Sequence, residues 1–130
     1  MVTAEQIKAL GERLERLQSY LNLEQKRIHI INEEEKTASP EFWDDPKKAE
    51  VTLKALRGVK FWVGGYEKAV KLFGEAELSL EFFKEGELEE SDVQEAYQAC
   101  EDWIEELEFK NMLSGEEDKF GAILKINPGA

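Results

Sequence analysis

Few side chains in this 130-residue chain have the type and spacing to do chemistry. His29 is its one histidine, so a histidine-rich metal site, or a triad that needs a second imidazole, is excluded. Cys100 is its one cysteine, so no internal disulfide can form. A nucleophilic thiol needs nearby cations to lower its pKa, whereas Glu101 and Asp102 beside it would raise it. Cys100 follows Tyr97 by three residues on an apolar stripe and reads as a small core residue. Paired carboxylates such as Glu105 and Glu106 are of the right type for acid–base work. On a solvated helix they lack the burial that drives two carboxyl pKa values apart. Gly64-Gly65 has no strand before it and no lysine after it, so it is no phosphate loop. No catalytic, cofactor-binding or metal-binding constellation follows.

Charge is the stronger signal. The net charge is −12 and unevenly spread. Residues 1–36 are nearly balanced, but Glu87–Asp118 carries thirteen acidic side chains against the single cation Lys110. Nucleic-acid affinity rests on Lys and Arg displacing counterions, so direct RNA or DNA binding is not expected. The run reads either as a solvated helix face or as a docking face for a basic protein. Its candidate residues are Glu101, Asp102, Glu105 and Glu106. No run of eighteen apolar residues exists to span a membrane. The lone cysteine and the missing secretory-type segment fit a reducing cytoplasm.

Periodicity supplies the elements that must position these groups. Ile7, Leu10, Leu14, Leu17 and Leu21 form a helical seam with alternating steps of three and four. Thr3 and Gln6 predict a capping box at its start. Ile28 and Ile31 extend the seam, and Asn22 with Gln25 predicts a kink or restart that keeps the seam in phase. Pro40 ends the helix. Asp45-Pro46 starts the next one, with Phe42 and Trp43 expected to be mostly buried ahead of it. That helix is predicted from Pro46 to about Lys84, with Ala49, Leu53, Leu56, Val59, Val63, Tyr66, Val70, Phe73 and Leu80 on its stripe. Gly58, Gly64, Gly65 and Gly74 weaken it, and a bend or close helix approach is expected near Gly64. Glu85-Gly86-Glu87 reads as a turn and Ser91 with Gln94 as another capping box. The last helix buries Val93, Ala96, Tyr97, Cys100, Ile104 and Leu107 and is expected to end near Met112, broken by Ser114-Gly115. Phe120–Asn127 then has strand composition. A single strand does not stand alone, so the chain reads as cut at the first strand of a following domain. The predicted class is all-α: an antiparallel bundle of three to four long helices with a short C-terminal β segment. The expected domains are 1–112 and the start of another over 113–130.

Three stretches together resemble one family. They are Tyr20-Leu21-Asn22-Leu23 with Lys26-Arg27, then Phe42-Trp43-Asp44-Asp45-Pro46, then Leu113-Ser114-Gly115-Glu116-Glu117-Asp118 leading to Ala122–Ala130. Their order and separations are similar to the N-terminal region of the bacterial peptide chain release factor 2 family, class I translation termination factors. The resemblance implies a helical first domain followed by the opening strand of the codon-recognition domain. In that family a Ser-Pro-Phe tripeptide reads stop codons and a Gly-Gly-Gln motif promotes ester hydrolysis on the ribosome. Here Ser39-Pro40 is followed by Glu41 and Gly64-Gly65 by Tyr66, so this stretch is expected to bind and position without catalysing. The implied partners are the ribosome, around its large-subunit stalk base, and termination and recycling factors. The residues alone leave a second reading open: a free-standing acidic helical adaptor that docks a basic partner.

Overall fold

The structure, a computed structural model, describes residues 1–123, with side chains as far as Ser114. Its elements are α1 (Ala4–Leu21), α2 (Leu23–Thr37), a 3-10 turn over Pro40–Asp44, α3 (Pro46–Lys84) and α4 (Glu90–Ile123). The described residues form an all-α bundle, as predicted. Two compact units share these helices: Met1–Leu17 with the chain from Ala69 onward, and Gln18–Lys68.

In the first unit the capping box forms as expected. Gln6 N–H donates to Thr3 Oγ1 at 3.2 Å, and Thr3 N–H donates to Gln6 Oε1 at 2.9 Å. Val2, Ile7, Leu80 and Val93 make a core cluster, with Phe73, Phe83 and Tyr97 packed against it. The Met1 ammonium lies 3.6 Å from Glu90, and Arg13 reaches Glu101 and Glu108 further along, so α1 and α4 run parallel. Phe73 faces Gly11 while Leu80 packs near Ile7, so α3 runs antiparallel to α1. A Cβ built on Gly11 would stand 3.0 Å from the Phe73 ring, and this is where the missing side chain lets two helices close up. The predicted stripe of α4 is buried at Val93, Cys100, Ile104 and Leu107. Truncating such a residue, Ile104→Ala for instance, costs about 2–5 kcal/mol.

α3 ends in a Schellman turn at the predicted place. Gly86 has φ +82°, Glu87 N–H donates to Phe82 O at 2.9 Å, and Gly86 N–H donates to Phe83 O at 3.0 Å. Glycine takes this left-handed geometry without a Cβ clash. α4 begins two residues earlier than expected, with the cap at Glu89. Asp92 Oδ2, rather than the Ser91–Gln94 pair, accepts from Glu89 N–H at 3.0 Å, and a carboxylate suits the positive end of the helix dipole. Nor does α4 stop near Met112. It runs through Ser114-Gly115 to Ile123, because each residue costs a helix interior only about 1 kcal/mol or less. Of the strand expected over Phe120–Asn127, residues 120–123 are helical and the remainder lies outside the described residues.

In the second unit α2 and α3 form an antiparallel pair, since Glu34 meets Lys60 at 2.6 Å and Glu67 meets Arg27 at 3.7 Å. Asp45 starts α3 as predicted: Oδ1 accepts from Lys48 N–H at 3.2 Å. Two expectations need correction in this unit. Asn22 takes the left-handed conformation, φ 50° and ψ 53°, and the seam loses its phase there. Beyond it, Leu23, Lys26, Arg27, Ile30 and Glu33 turn inward, while Ile28 and Ile31 are 52% and 58% exposed. The Lys26 ammonium donates to the carbonyl that α1 leaves free at Leu21. Trp43 is 53% exposed and Phe42 half-buried, because the indole N–H caps the end of α2, donating to Thr37 O at 2.9 Å. Further along α3, in the first unit, Val70 faces outward and Ala69 and Ala76 are buried in its place.

Gly58, Gly64 and Gly74 have nothing within 4 Å of an added Cβ, so no close helix approach explains them. α3 is one continuous helix of 39 residues through all four glycines.

Candidate docking surface

The acidic candidates sit on the middle of α4, and the structure divides them. Glu101 lies toward α1. Its carboxylate accepts from Tyr97 Oη at 3.3 Å and from Gln98 Nε2 at 3.3 Å, and stands 3.9 Å from Arg13. Asp102 is exposed and accepts from Gln98 Nε2 at 2.8 Å. Glu105 and Glu106 are both exposed. The four are therefore not one uniform face, since Glu101 is already engaged within the chain.

The group that organises this end of α4 is Arg13. Its Nε donates to Glu108 Oε2 at 3.1 Å and its terminal nitrogen to Glu108 Oε1 at 2.6 Å, a forked pairing that suits a planar guanidinium. The hydrogen-bonded Glu108 carboxylate raises the Arg13 pKa further, against burial, with the charges of Glu101 and Glu105 adding. Burial, then the neighbouring Glu101, holds the Tyr97 phenol above its ordinary range. The sequence carried a signal for this clamp. Glu101 and Glu108 are seven residues apart on the flank of the Cys100–Leu107 stripe, the place where an arginine from a neighbouring helix would sit.

Cys100 is fully buried and free. Burial pushes its thiol up to about 11, as its reading as a core residue requires. His29 is exposed. Trp62, Trp103 and Phe83 are half-buried and Phe82 is exposed.

Beside the 3-10 turn a groove of about 520 Å³ is lined by Glu33, Lys36, Phe42, Asp44, Asp45 and Lys48 among others. Two of its carboxylates are engaged: Glu33 pairs with Lys36 at 2.7 Å and Asp45 caps α3. The hydrogen bond from Lys36 holds Glu33 below the usual carboxylate range, so it is no acid poised near neutrality. Among the described residues no group of three His, Cys, Asp or Glu side chains could hold a metal ion, and no helix is long and apolar enough to cross a membrane. What this geometry offers is a surface on α4, carboxylates outward, held in place by a clamp.

The profile of the PCRF domain matches residues 25–130. The chain belongs to the PCRF domain family. Over 128 residues it is 31% identical to Peptide chain release factor 2 of an Exiguobacterium species, covering 96% of this chain and 35% of that protein. Over 130 residues it is 32% identical to Peptide chain release factor 2 of Nautilia profundicola, covering 98% and 35%. The match to Peptide chain release factor 2 of Staphylococcus epidermidis is 29% over 119 residues, covering 90% and 32%. The resemblance carried by the Phe-Trp-Asp-Asp-Pro and Leu-Ser-Gly-Glu-Glu-Asp stretches is thereby borne out. This PCRF chain spans about a third of the length of the curated relatives it matches. No solved structure matches it.

Proposed function

We propose that this PCRF chain is the helical docking module of a peptide chain release factor, acting in the cytoplasm on the ribosome during stop-codon-dependent translation termination. The observation that carries this reading is the match of the PCRF profile over residues 25–130, alongside relatives named for peptide chain release. The chemistry of the chain supports it. Its one thiol is sealed, its one histidine is exposed, and its carboxylates are paired or solvated. Neither Ser-Pro-Phe nor Gly-Gly-Gln occurs in the sequence. In this division of labour residues 1–112 bind and position, residues 113–130 lead toward the codon-reading part, and hydrolysis is promoted elsewhere in the whole factor. The outward carboxylates of α4, Asp102, Glu105 and Glu106, suit a basic protein partner at the large-subunit stalk base or among the termination and recycling factors.

The test is co-sedimentation of the purified chain with ribosomes stalled at a stop codon, run beside a peptide-release assay. Co-sedimentation that weakens when the stalk-base protein is depleted, with no peptide released, is the expected result. Stop-codon-dependent release by this chain alone, or failure to co-sediment, overturns the reading.

A further inference from the structure

We propose that the outer stripe of α4 from Asp102 to Leu113 is a docking face for a basic amphipathic helix, with Phe109, Met112 and Leu113 as its apolar anchors. This rests on the docking role proposed above and specifies the partner.

Residues 102, 105, 106, 109, 112 and 113 are related by steps of three and four, so they lie on one strip of the helix surface. The three anchors are 57%, 54% and 47% exposed. The opposite stripe of the same helix, Val93, Cys100, Ile104 and Leu107, is fully buried in the first unit. Among the described residues of the unit, α4 therefore carries a second apolar face that their packing leaves exposed. Adjoining large apolar groups on one exposed face mark an interaction site rather than scattered surface hydrophobics.

The charges choose the occupant. Asp102, Glu105 and Glu106 lead directly into the apolar anchors, so a partner helix needs lysines or arginines at one end of its apolar stripe. Phosphate backbones are repelled by those carboxylates. A second copy of this chain is disfavoured too. Parallel pairing sets each acidic turn on its equivalent, and the net charge of −12 makes any pairing of two copies repulsive. Met112 adds a flexible thioether that adapts its packing to different partners.

The probe is a helical peptide of about fourteen residues, roughly four turns, with leucines on one face and lysines on the other. The control is a scrambled peptide of the same composition, and both are titrated calorimetrically into the full chain at about 150 mM salt. The leucine–lysine peptide is expected to bind at least about tenfold more tightly than the scrambled one. Phe109→Ser with Met112→Ser should remove that advantage while the far-ultraviolet circular dichroism stays unchanged, as both positions are exposed. Glu105→Gln with Glu106→Gln should weaken binding and flatten its salt dependence. Leu78→Ser, exposed on α3, should change nothing. Equal binding of both peptides, an F109S/M112S variant that binds as before, or self-association of the chain through this stripe overturns the proposal. The two readings fail separately: an F109S/M112S chain that still co-sediments with ribosomes sinks only this one, and a wild-type chain that does not co-sediment sinks the parent reading.

Discussion

Arg13 grips Glu108 at two points, 3.1 Å and 2.6 Å, across a sequence separation of 95 residues. Both side chains are partly solvated, so the pair is worth about 1 kcal/mol rather than the several of a buried ion pair. A double-mutant cycle with Arg13→Met and Glu108→Gln, followed by urea unfolding, should give a coupling energy of that size that shrinks in high salt. Arg13→Lys should recover less than half of it, because an ammonium cannot make the fork.

That contact also marks where periodicity stops being informative. The buried stripe of α4 was legible because Val93, Cys100, Ile104 and Leu107 repeat at helical spacing and nothing competes with them. The acidic side chains were legible as a run, but their division was not. Whether Glu101 points inward depends on an arginine that only the folded chain brings near. On α3 Ala69 and Ala76 are buried where Val70 was expected, and side-chain size alone does not show it. The caps at Thr3 and Asp45 are local chemistry and were read directly.

Cys100 should make the fold lose stability in mild alkali. An unfolded thiol ionises near about 8.5, whereas burial pushes this one up to about 11, against Arg13 and together with Glu101. Between those values the unfolded chain releases its proton first, so the contribution is intact below the lower value and lost as pH climbs to the upper one. The loss is about 3 kcal/mol by the linkage relation. Urea midpoints measured from neutral to alkaline pH should fall more steeply for the wild type than for Cys100→Ala. At pH 8 the native thiol should react with a disulfide reagent orders of magnitude more slowly than in urea.

The glycines divide by what surrounds them. Gly58→Ala, Gly64→Ala and Gly74→Ala meet open space and should each stabilise α3 by about 0.5–1 kcal/mol. Gly11→Ala forces the Phe73 ring aside, and that crowding outweighs the helical gain, for a net loss of about 1 kcal/mol. Gly86→Ala strains a left-handed turn and should cost about 1–2 kcal/mol. Thermal unfolding of the five single variants checks the order.

The left-handed Asn22 means that this stretch encodes two rival ways of presenting α2. One uses Ile28 and Ile31 as the inner row, continuing from Leu21. The other, which the fold adopts, uses Leu23, Arg27 and Ile30. Asparagine tolerates the reversed backbone twist that separates them, and most other residues do not. Exchanging it for a strong helix former such as alanine should favour an unbroken rod, swing the two isoleucines out of water, and part Arg27 from Glu67. One side chain of modest size thus acts as a selector between alternative facings of an entire helix.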